Sequence, residues 1–204
     1  MKFDLREVES YYIEKLREFG GNAKGMDWKN EDTQYLRFEM ISRYINFSRI
    51  PSILDVGCGN SEYLNFCNKK SLSCKYNGLD IIPEMVKLSN ERYDKIVAKQ
   101  GDLESIQGTE KYDYVIASGT FNAKLNATEG EWREYFFRNL KIMFDLSETG
   151  MVFNCMSHHV DYRYDRLFYL SDAEISNFIV SRLSKKYIID HSYPLFEMTI
   201  AVFK

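Results

Sequence analysis

The sequence is short of several features that mark particular protein classes. No run approaches the roughly 18 apolar residues of a membrane span, and the first residues lack the apolar core of a signal peptide. The 204 residues include only three prolines and four cysteines, without a C-x-x-C pair. Internal repeats and low-complexity stretches are also missing. These absences predict a cytoplasmic protein with free thiols and no membrane partner.

A strong charge of either sign is missing too. The chain has 27 Lys and Arg against 30 Asp and Glu, for a net charge of −3. Binding to a phosphate backbone relies on a basic field, so nucleic acid is not an expected partner. What is present is 45% hydrophobic and 15% aromatic residues, which suffices for one sizeable core. The length predicts one structural domain.

Hydrophobic periodicity divides the chain near residue 50. Apolar residues at helical spacing predict helices at 5–19 and 32–47. From Pro51 onward, short apolar runs alternate with amphipathic stretches, which is typical of βα units in a parallel sheet. The apolar runs predict strands at 52–56, 75–79, 96–99, 112–117, 151–156, 187–193 and 197–203, and the stretches between them predict helices at 61–68, 83–92, 131–146 and 171–184.

The last two strands are separated by a short loop containing Pro194, so they are expected to pair antiparallel. The predicted fold is therefore α/β, with a seven-stranded, mostly parallel sheet, an antiparallel last strand and helices on both faces. We expect residues 1–49 to form a helical cap and residues 50–204 to form the core that carries the function.

A glycine turn follows the first predicted strand. The strand ends in Asp55-Val-Gly57-Cys58-Gly59, and glycines in such a turn let the backbone approach a ligand closely. Asp80 and Asp102 follow the next two strands. Because parallel strands end at the same edge of a sheet, these three carboxylates are expected to converge on a ligand site. A ligand-free βα turn, with the carboxylates capping helices, is the alternative.

Two ligand classes compete for this turn, dinucleotides and S-adenosylmethionine. A dinucleotide site normally has a third glycine, whereas Ser61 and Glu62 stand there. A pyrophosphate is also poorly placed beside Asp55 and Glu62, while a sulfonium cofactor with an amino group is attracted by acidic neighbours. The residues favour S-adenosylmethionine.

On these motifs the sequence resembles the Rossmann-like class I S-adenosylmethionine-dependent methyltransferases, and is similar to small bacterial O-methyltransferases. The matching segments are 55–59, Asp80, 101–103, 112–118 and the closing antiparallel pair of strands. Ser61 departs from the third glycine of many members. The resemblance implies cofactor contacts by Asp55, Gly57, Cys58, Gly59, Asp80, Ile81, Asp102, Leu103 and Ser118.

The segment 25–38 also resembles one that precedes the core in small bacterial methyltransferases and caps the cofactor. This resemblance implies that Trp28, Gln34 and Arg37 contact the cofactor. An ordinary surface helix with Trp28 packed against the core is an equally weighted alternative.

Residues after the fourth and fifth strands are expected to bind the methyl acceptor. The fourth strand lacks the Asn-Pro-Pro-Tyr and Pro-Cys patterns that resembling nucleobase and glutamine methyltransferases carry, so those substrates are disfavoured. His158 and His159 follow the fifth strand, and one of them is our candidate for a general base. Adjacent residues of an extended chain point oppositely, so at most one faces the site. A solvent-exposed loop is the alternative for both.

The aromatic and charged segment 161–169 lacks clear periodicity and is interpreted as a lid over the acceptor pocket. Arg163 and Arg166 in it are expected either to clamp an anionic acceptor or to pair with Asp161 and Asp165. A divalent metal bound by these acids and the two histidines is a less favoured alternative, because their spacing matches no recognised ligand pattern.

The function expected from the sequence is transfer of a methyl group to an oxygen of a small polar acceptor, such as a sugar or sugar nucleotide. The alternatives are an NAD-dependent oxidoreductase on a similar sheet and a non-catalytic S-adenosylmethionine-binding protein.

Overall fold

A computed structural model describes residues 3–108 and 110–204. The described part of the first 49 residues contains two helices, α1 (Arg6–Phe19) and α2 (Glu31–Ser42). Gly20, with a φ of 70°, ends α1 where the sequence predicts a stop. The Asn30 side chain caps α2 by accepting a hydrogen bond from the Thr33 backbone N–H. Helix α2 ends five residues before the predicted boundary. The division into a cap and a core at residue 50 stays a prediction.

Strands and helices alternate through the rest of the chain. They are β1 (Ser52–Val56), α3 (Glu62–Lys69), β2 (Lys75–Asp80), α4 (Pro83–Tyr93), β3 (Ala98–Gln100), β4 (Tyr112–Ala117), α5 (Glu129–Leu146), β5 (Ser147–Ser157), β6 (Tyr169–Leu170), α6 (Asp172–Arg182), β7 (Tyr187–Asp190) and β8 (Glu197–Phe203).

The strands form one sheet in the order β3-β2-β1-β4-β5-β8-β7, and the two-residue β6 pairs beside β5. All pairings are parallel except those of β8, which runs antiparallel to both β5 and β7. The predicted α/β class and the antiparallel last strand are confirmed. Strand β6 is the one described strand that periodicity did not predict, because two residues carry no period.

Alternate residues of the central strands point to opposite faces of the sheet, and each face is covered by helices. Leu54 and Val115 pack with residues of α5 and α6, whereas Ile53 and Ile116 pack with residues of α2 and α3. These strands are buried on both faces, which explains their nearly continuous apolar runs.

Three helix starts follow local sequence rules. Thr128 and Glu131 form a capping box at the start of α5, and Ser171 accepts a hydrogen bond from the Glu174 backbone N–H at the start of α6. Pro83 occupies the first turn of α4, where its missing N–H needs no partner. Because β1 pairs parallel with both β2 and β4, these three strands end at one edge of the sheet.

Candidate functional site

A cavity of about 660 Å³ lies at the carboxyl ends of β1, β2 and β4. This is the edge at which open α/β sheets bind ligands, and the volume falls within the range of about 300–1,000 Å³ for small-molecule sites. Several cap residues between Met26 and Phe38, and four residues of the segment 162–167, also line the cavity. Most of the polar groups that matter for binding therefore come from three places: the strand ends, the cap and the segment after β5.

The glycine turn forms the floor of this cavity. Gly57 and Gly59 adopt left-handed backbone conformations, with φ of 67° and 53°. A Cβ at Gly57 would lie 2.5 Å from the Thr120 side chain, and one at Gly59 would lie 2.8 Å from Met26 Sδ. The turn therefore excludes side chains at both positions.

Two buried carboxylates stand beside the turn. Asp80 accepts hydrogen bonds from the backbone N–H groups of Gly59 at 2.7 Å and Ile82 at 2.9 Å, and Asp55 accepts one from the Tyr76 hydroxyl at 2.7 Å. Burial raises the pKa of Asp55 to about 7 and that of Asp80 to about 6. Both carboxylates can thus change charge near neutral pH.

Three polar oxygens on the cavity wall have no hydrogen-bond partner within the described part of the chain. They are Asn60 Oδ1, Ser118 Oγ and Asn122 Oδ1. Buried acceptors without a partner are unfavourable, so they indicate donors supplied by a ligand.

S-adenosylmethionine, which the resemblance implies, fits this set of residues. Its ribose hydroxyls and amino group are donors, its sulfonium is a cation, and the wall offers two carboxylates and three unpartnered acceptors. The Cys58 thiol also lines the cavity, and burial keeps its pKa well above the usual range, so the thiol stays neutral.

The cap is fastened to the sheet by a buried ion pair. Arg37 on α2 donates through Nε and Nη2 to the Glu197 carboxylate at the start of β8, with an Nη2–Oε1 distance of 2.5 Å. Its remaining Nη1 donates to the Thr33 carbonyl at 2.7 Å. Each nitrogen of the guanidinium thus donates at least one hydrogen bond within the protein, although Arg37 lines the cavity.

Trp28 closes a ring of contacts around this pair. The Arg37 guanidinium lies 4.3 Å from the centre of the Trp28 indole. Asn154 on β5 donates to Glu197 and accepts from the Gly119 backbone N–H at 2.8 Å. A Cβ at Gly119 would lie 2.2 Å from the indole, so only glycine permits this approach. We call these five residues the buried ring.

The segment 161–168 covers another side of the cavity. Tyr162, Tyr164, Arg166 and Leu167 line it. Arg166 donates to Asp27 at 2.9 Å and thereby joins this segment to the cap. The predicted pairing of Arg166 with Asp161 or Asp165 is therefore not the one observed.

The cavity brings together most of the predicted cofactor residues. Its lining includes Asp55, Gly57, Cys58, Gly59, Asp80, Ile81, Ser118, Trp28, Gln34 and Arg37. Asp102 and Leu103 are not part of the lining. Leu103 is buried in the core, and Asp102 accepts from the Ser105 backbone N–H at 2.8 Å in a short helical turn. Strand β3 ends at Gln100, opposite Asp80, and the chain then enters this helical turn, which places Asp102 and Leu103 away from the lining.

The candidate base residues His158 and His159 also lie outside the lining. His158 continues the pairing of β5 with β6 through its backbone N–H to the Leu170 carbonyl at 2.9 Å. The exposed His159 imidazole lies 3.8 Å from Asp172, at the start of α6. The strand pairing leads the chain toward α6 rather than over β4, so neither imidazole reaches the cavity.

Sequence reasoning missed Asn122, Phe196 and Glu197. Glu197 carried a detectable signal, because it is an acid that opens an otherwise apolar strand, and such an acid needs a buried partner. The other two lie in loops of no recognisable pattern.

Two features concern metals and membranes. In residues 3–108 and 110–204, no group of three His, Cys, Asp or Glu side chains is arranged to hold a metal ion. None of the helices described there is long and apolar enough to span a bilayer.

Comparison with known proteins gives consistent matches. A family model described as "Methyltransferase domain" matches residues 51–161. A Mycobacterium tuberculosis (strain ATCC 25618 / H37Rv) protein named "Putative methyltransferase Rv1506c" is 31% identical in an alignment of 170 residues that covers 79% of this chain and 98% of that protein.

Solved structures share the fold. Magnesium protoporphyrin IX methyltransferase (ChlM) from Synechocystis PCC 6803 with bound SAH aligns with a TM-score of 0.70 at 13% identity, covering 98% of this chain and all of that one. DhpI in a complex with SAM and HEP aligns with a TM-score of 0.69 at 15% identity, covering 98% and 99% of the two chains.

Proposed function

The chain belongs to the class I S-adenosylmethionine-dependent methyltransferases, and from this premise we propose that it transfers the methyl group to an oxygen of a small polar acceptor in the cytoplasm. The observation that carries the proposal is the cavity in which Asp55, Asp80 and the unpartnered acceptors of Asn60, Ser118 and Asn122 meet. A sugar or sugar derivative is the acceptor class we favour.

Each wall of the cavity has a role in this proposal. When bound, S-adenosylmethionine supplies an electrophilic methyl group on its sulfonium. Asp80 would accept hydrogen bonds from the ribose hydroxyls, and the glycine turn would admit the methionine end beside Asp55. The cap and the segment 161–168 exclude water and hold the acceptor oxygen in line with the methyl, which is the main contribution an enzyme makes to such a displacement.

The size of the cavity supports a small acceptor. At about 660 Å³ and covered by two chain segments, it leaves room for a cofactor and a metabolite rather than an open groove for a macromolecule. Any anionic group on the acceptor is best met by Lys29, which lines the cavity and has no carboxylate partner in the described residues. Arg166 and Arg37 are already paired with Asp27 and Glu197.

The test measures cofactor binding and turnover separately. We expect titration calorimetry to show binding of S-adenosylmethionine and S-adenosylhomocysteine but not NAD, and S-adenosylhomocysteine release with a hydroxyl acceptor. Binding of NAD instead would identify an oxidoreductase. Cofactor binding without release for any acceptor would identify a non-catalytic binding protein.

The role of a histidine base stays a prediction and has its own test. His158→Ala and His159→Ala are assayed with the same acceptor. If both variants keep full turnover, neither imidazole acts as the base.

A further inference from the structure

Three exposed aromatic side chains gather at the cavity. Tyr162, Tyr164 and Phe196 are 59%, 53% and 44% exposed, and all three line it. The Tyr162 ring centre lies 5.2 Å from that of Tyr164 and 6.3 Å from that of Phe196. We call them the aromatic rim. A contiguous exposed apolar patch beside a concave site indicates a surface that a ligand covers.

A buried amide lies next to this rim. Asn122 is 8% exposed and lines the cavity, and its Oδ1 has no hydrogen-bond partner among the described residues. The Asn122 backbone carbonyl accepts a hydrogen bond from the Phe168 backbone N–H at 2.8 Å, and Ala123 forms a β-bridge with Leu167. The loop after β4 therefore runs directly along the segment that carries Tyr162 and Tyr164.

The unpartnered Asn122 oxygen and the aromatic rim are suited to different groups of one ligand. An unpartnered amide oxygen needs a donor, and a hydroxyl group supplies one. Exposed aromatic rings stack on the face of another ring. A ligand that satisfies both is a ring that carries a free hydroxyl.

We propose that Asn122 and the aromatic rim form the acceptor subsite, and that the acceptor is a hydroxylated six-membered ring, either phenolic or saccharide. The proposal rests on the methyl-transfer function above. The ring lies on the rim, and its hydroxyl donates to Asn122 Oδ1, which directs an oxygen lone pair toward the methyl group. The oxygen–carbon bond forms as the sulfur–carbon bond breaks, the electron pair of the broken bond stays on sulfur, and the protonated ether product loses its proton to bulk solvent when it leaves the cavity.

The first experiment uses the full chain with S-adenosylmethionine and three acceptor classes. These are catechol as a phenol, glucose and UDP-glucose as saccharides, and lactate as an acyclic hydroxy acid. We expect S-adenosylhomocysteine release with one of the ring classes and none with lactate. Equal turnover of lactate would overturn the ring requirement while leaving the methyltransferase function intact.

A binding measurement covers acceptors outside this panel. Saturation-transfer NMR on the protein with bound S-adenosylhomocysteine should show contacts from the ring protons of catechol or glucose. If neither catechol nor glucose shows such contacts at millimolar concentrations, the proposed acceptor subsite is wrong. Failure of the protein to bind S-adenosylmethionine at all would instead count against the proposed function.

Variants locate the subsite. Because the Asn122 side chain makes no hydrogen bond through Oδ1, Asn122→Ala should fold normally. We expect Asn122→Ala and Tyr164→Ala each to raise the acceptor KM by about tenfold, which corresponds to about 1.4 kcal/mol, while the Kd for S-adenosylmethionine changes less than about twofold. Tyr164→Phe should restore most of the affinity. Ile188→Ala, an exposed apolar residue outside the cavity lining, is the matched control.

These variants also separate the two ligands of the cavity. If Asn122→Ala weakens S-adenosylmethionine binding and leaves the acceptor KM unchanged, the amide belongs to the cofactor and the proposal fails. The proposal also fails if the acceptor KM is unchanged in every variant of the aromatic rim.

Discussion

Ser61 holds a left-handed backbone conformation, with a φ of 57°, where many resembling methyltransferases have a third glycine. Its buried hydroxyl hydrogen-bonds that of Ser89 on α4. A non-glycine residue in this conformation costs about 1–2 kcal/mol. The backbone strain at Ser61 is thus offset by a hydrogen bond that joins the start of α3 to α4, two helices that flank the site.

A pair of variants measures this exchange. Ser61→Ala keeps the strain and loses the hydrogen bond, whereas Ser61→Gly loses the hydrogen bond and relieves the strain. We expect the alanine variant to be less stable than the glycine variant by about 1 kcal/mol in urea denaturation. Equal stabilities would show that the left-handed conformation is not strained.

Asp55 and Asp80 predict opposite pH effects on stability and on cofactor binding. Burial raises the pKa of Asp55 to about 7 and that of Asp80 to about 6, whereas in the unfolded chain both titrate near 4. Between pH 4 and 7 the folded state holds more protons, so the free energy of unfolding falls as pH rises and then levels off. Cofactor affinity should rise over the same range, because the carboxylates become charged.

Thermal unfolding and calorimetry check both directions. We expect the Tm of the unliganded protein to be higher at pH 5.5 than at pH 8 by at least about 2 °C, and Asp55→Asn to reduce the difference. Asp145→Asn, in an exposed pair on α5, should leave it unchanged. A Tm that rises with pH would contradict the assignment.

At the scale of elements, the buried ring joins α2, β4, β5 and β8. Glu197 is almost fully buried and balances the Arg37 guanidinium. Removing one partner of a buried ion pair leaves an uncompensated charge, at a cost of about 3–5 kcal/mol. The ring therefore stabilises the cap and sets the position of the Trp28 indole beside Gly119.

We expect Glu197→Gln to lower the free energy of unfolding by about 3–5 kcal/mol, measured by urea denaturation. Glu174→Gln breaks the partly exposed pair with Arg133 between α5 and α6 and should cost less than about 1 kcal/mol. Similar losses in both variants would show that burial does not strengthen the Arg37–Glu197 pair.

Most elements could be predicted from the sequence because their signals are local. The strands β1 and β8 have their predicted boundaries, and Ser171 and Pro83 marked their helix starts. Residues 55–59 and Asp80 were predictable site residues because strand ends of a parallel sheet converge. The Arg37–Glu197 contact joins residues 160 apart, and no local pattern encodes such a pairing. The path of the chain after β5 depends on the two-residue strand β6, which the sequence pattern does not reveal. The sequence therefore led us to expect His158 and His159 at the cavity.

At the scale of the whole molecule, the cap and the segment 161–168 meet above the cavity. Arg166 and the Tyr11 hydroxyl both donate to Asp27 at 2.9 Å, and Lys15 lies 3.3 Å from it. We expect ligands to exchange faster when these two segments separate. Asp27 thus connects the cap to the segment 161–168.

Weakening this attachment should speed ligand exchange. We expect Asp27→Asn to raise the dissociation rate of S-adenosylhomocysteine severalfold in stopped-flow displacement, because a neutral amide holds Arg166 less firmly. Asp190→Asn, which loses a contact with Tyr44 away from the cavity, is the control. An unchanged rate would mean that the two segments separate elsewhere.

The position of β8 also constrains how the chain is synthesised and folds. Strand β8 follows β5 and β7 in the sequence, yet it lies between them. In a nascent chain on the ribosome, β7 therefore cannot join the sheet before β8 has been made. The Arg37 guanidinium likewise has no Glu197 partner until the chain is 160 residues longer. Such non-local pairing slows folding. Until Glu197 and the rest of β8 have been synthesised, the edge of β5 that pairs with β8 stays unpaired, and an unpaired strand edge favours aggregation of the incomplete chain.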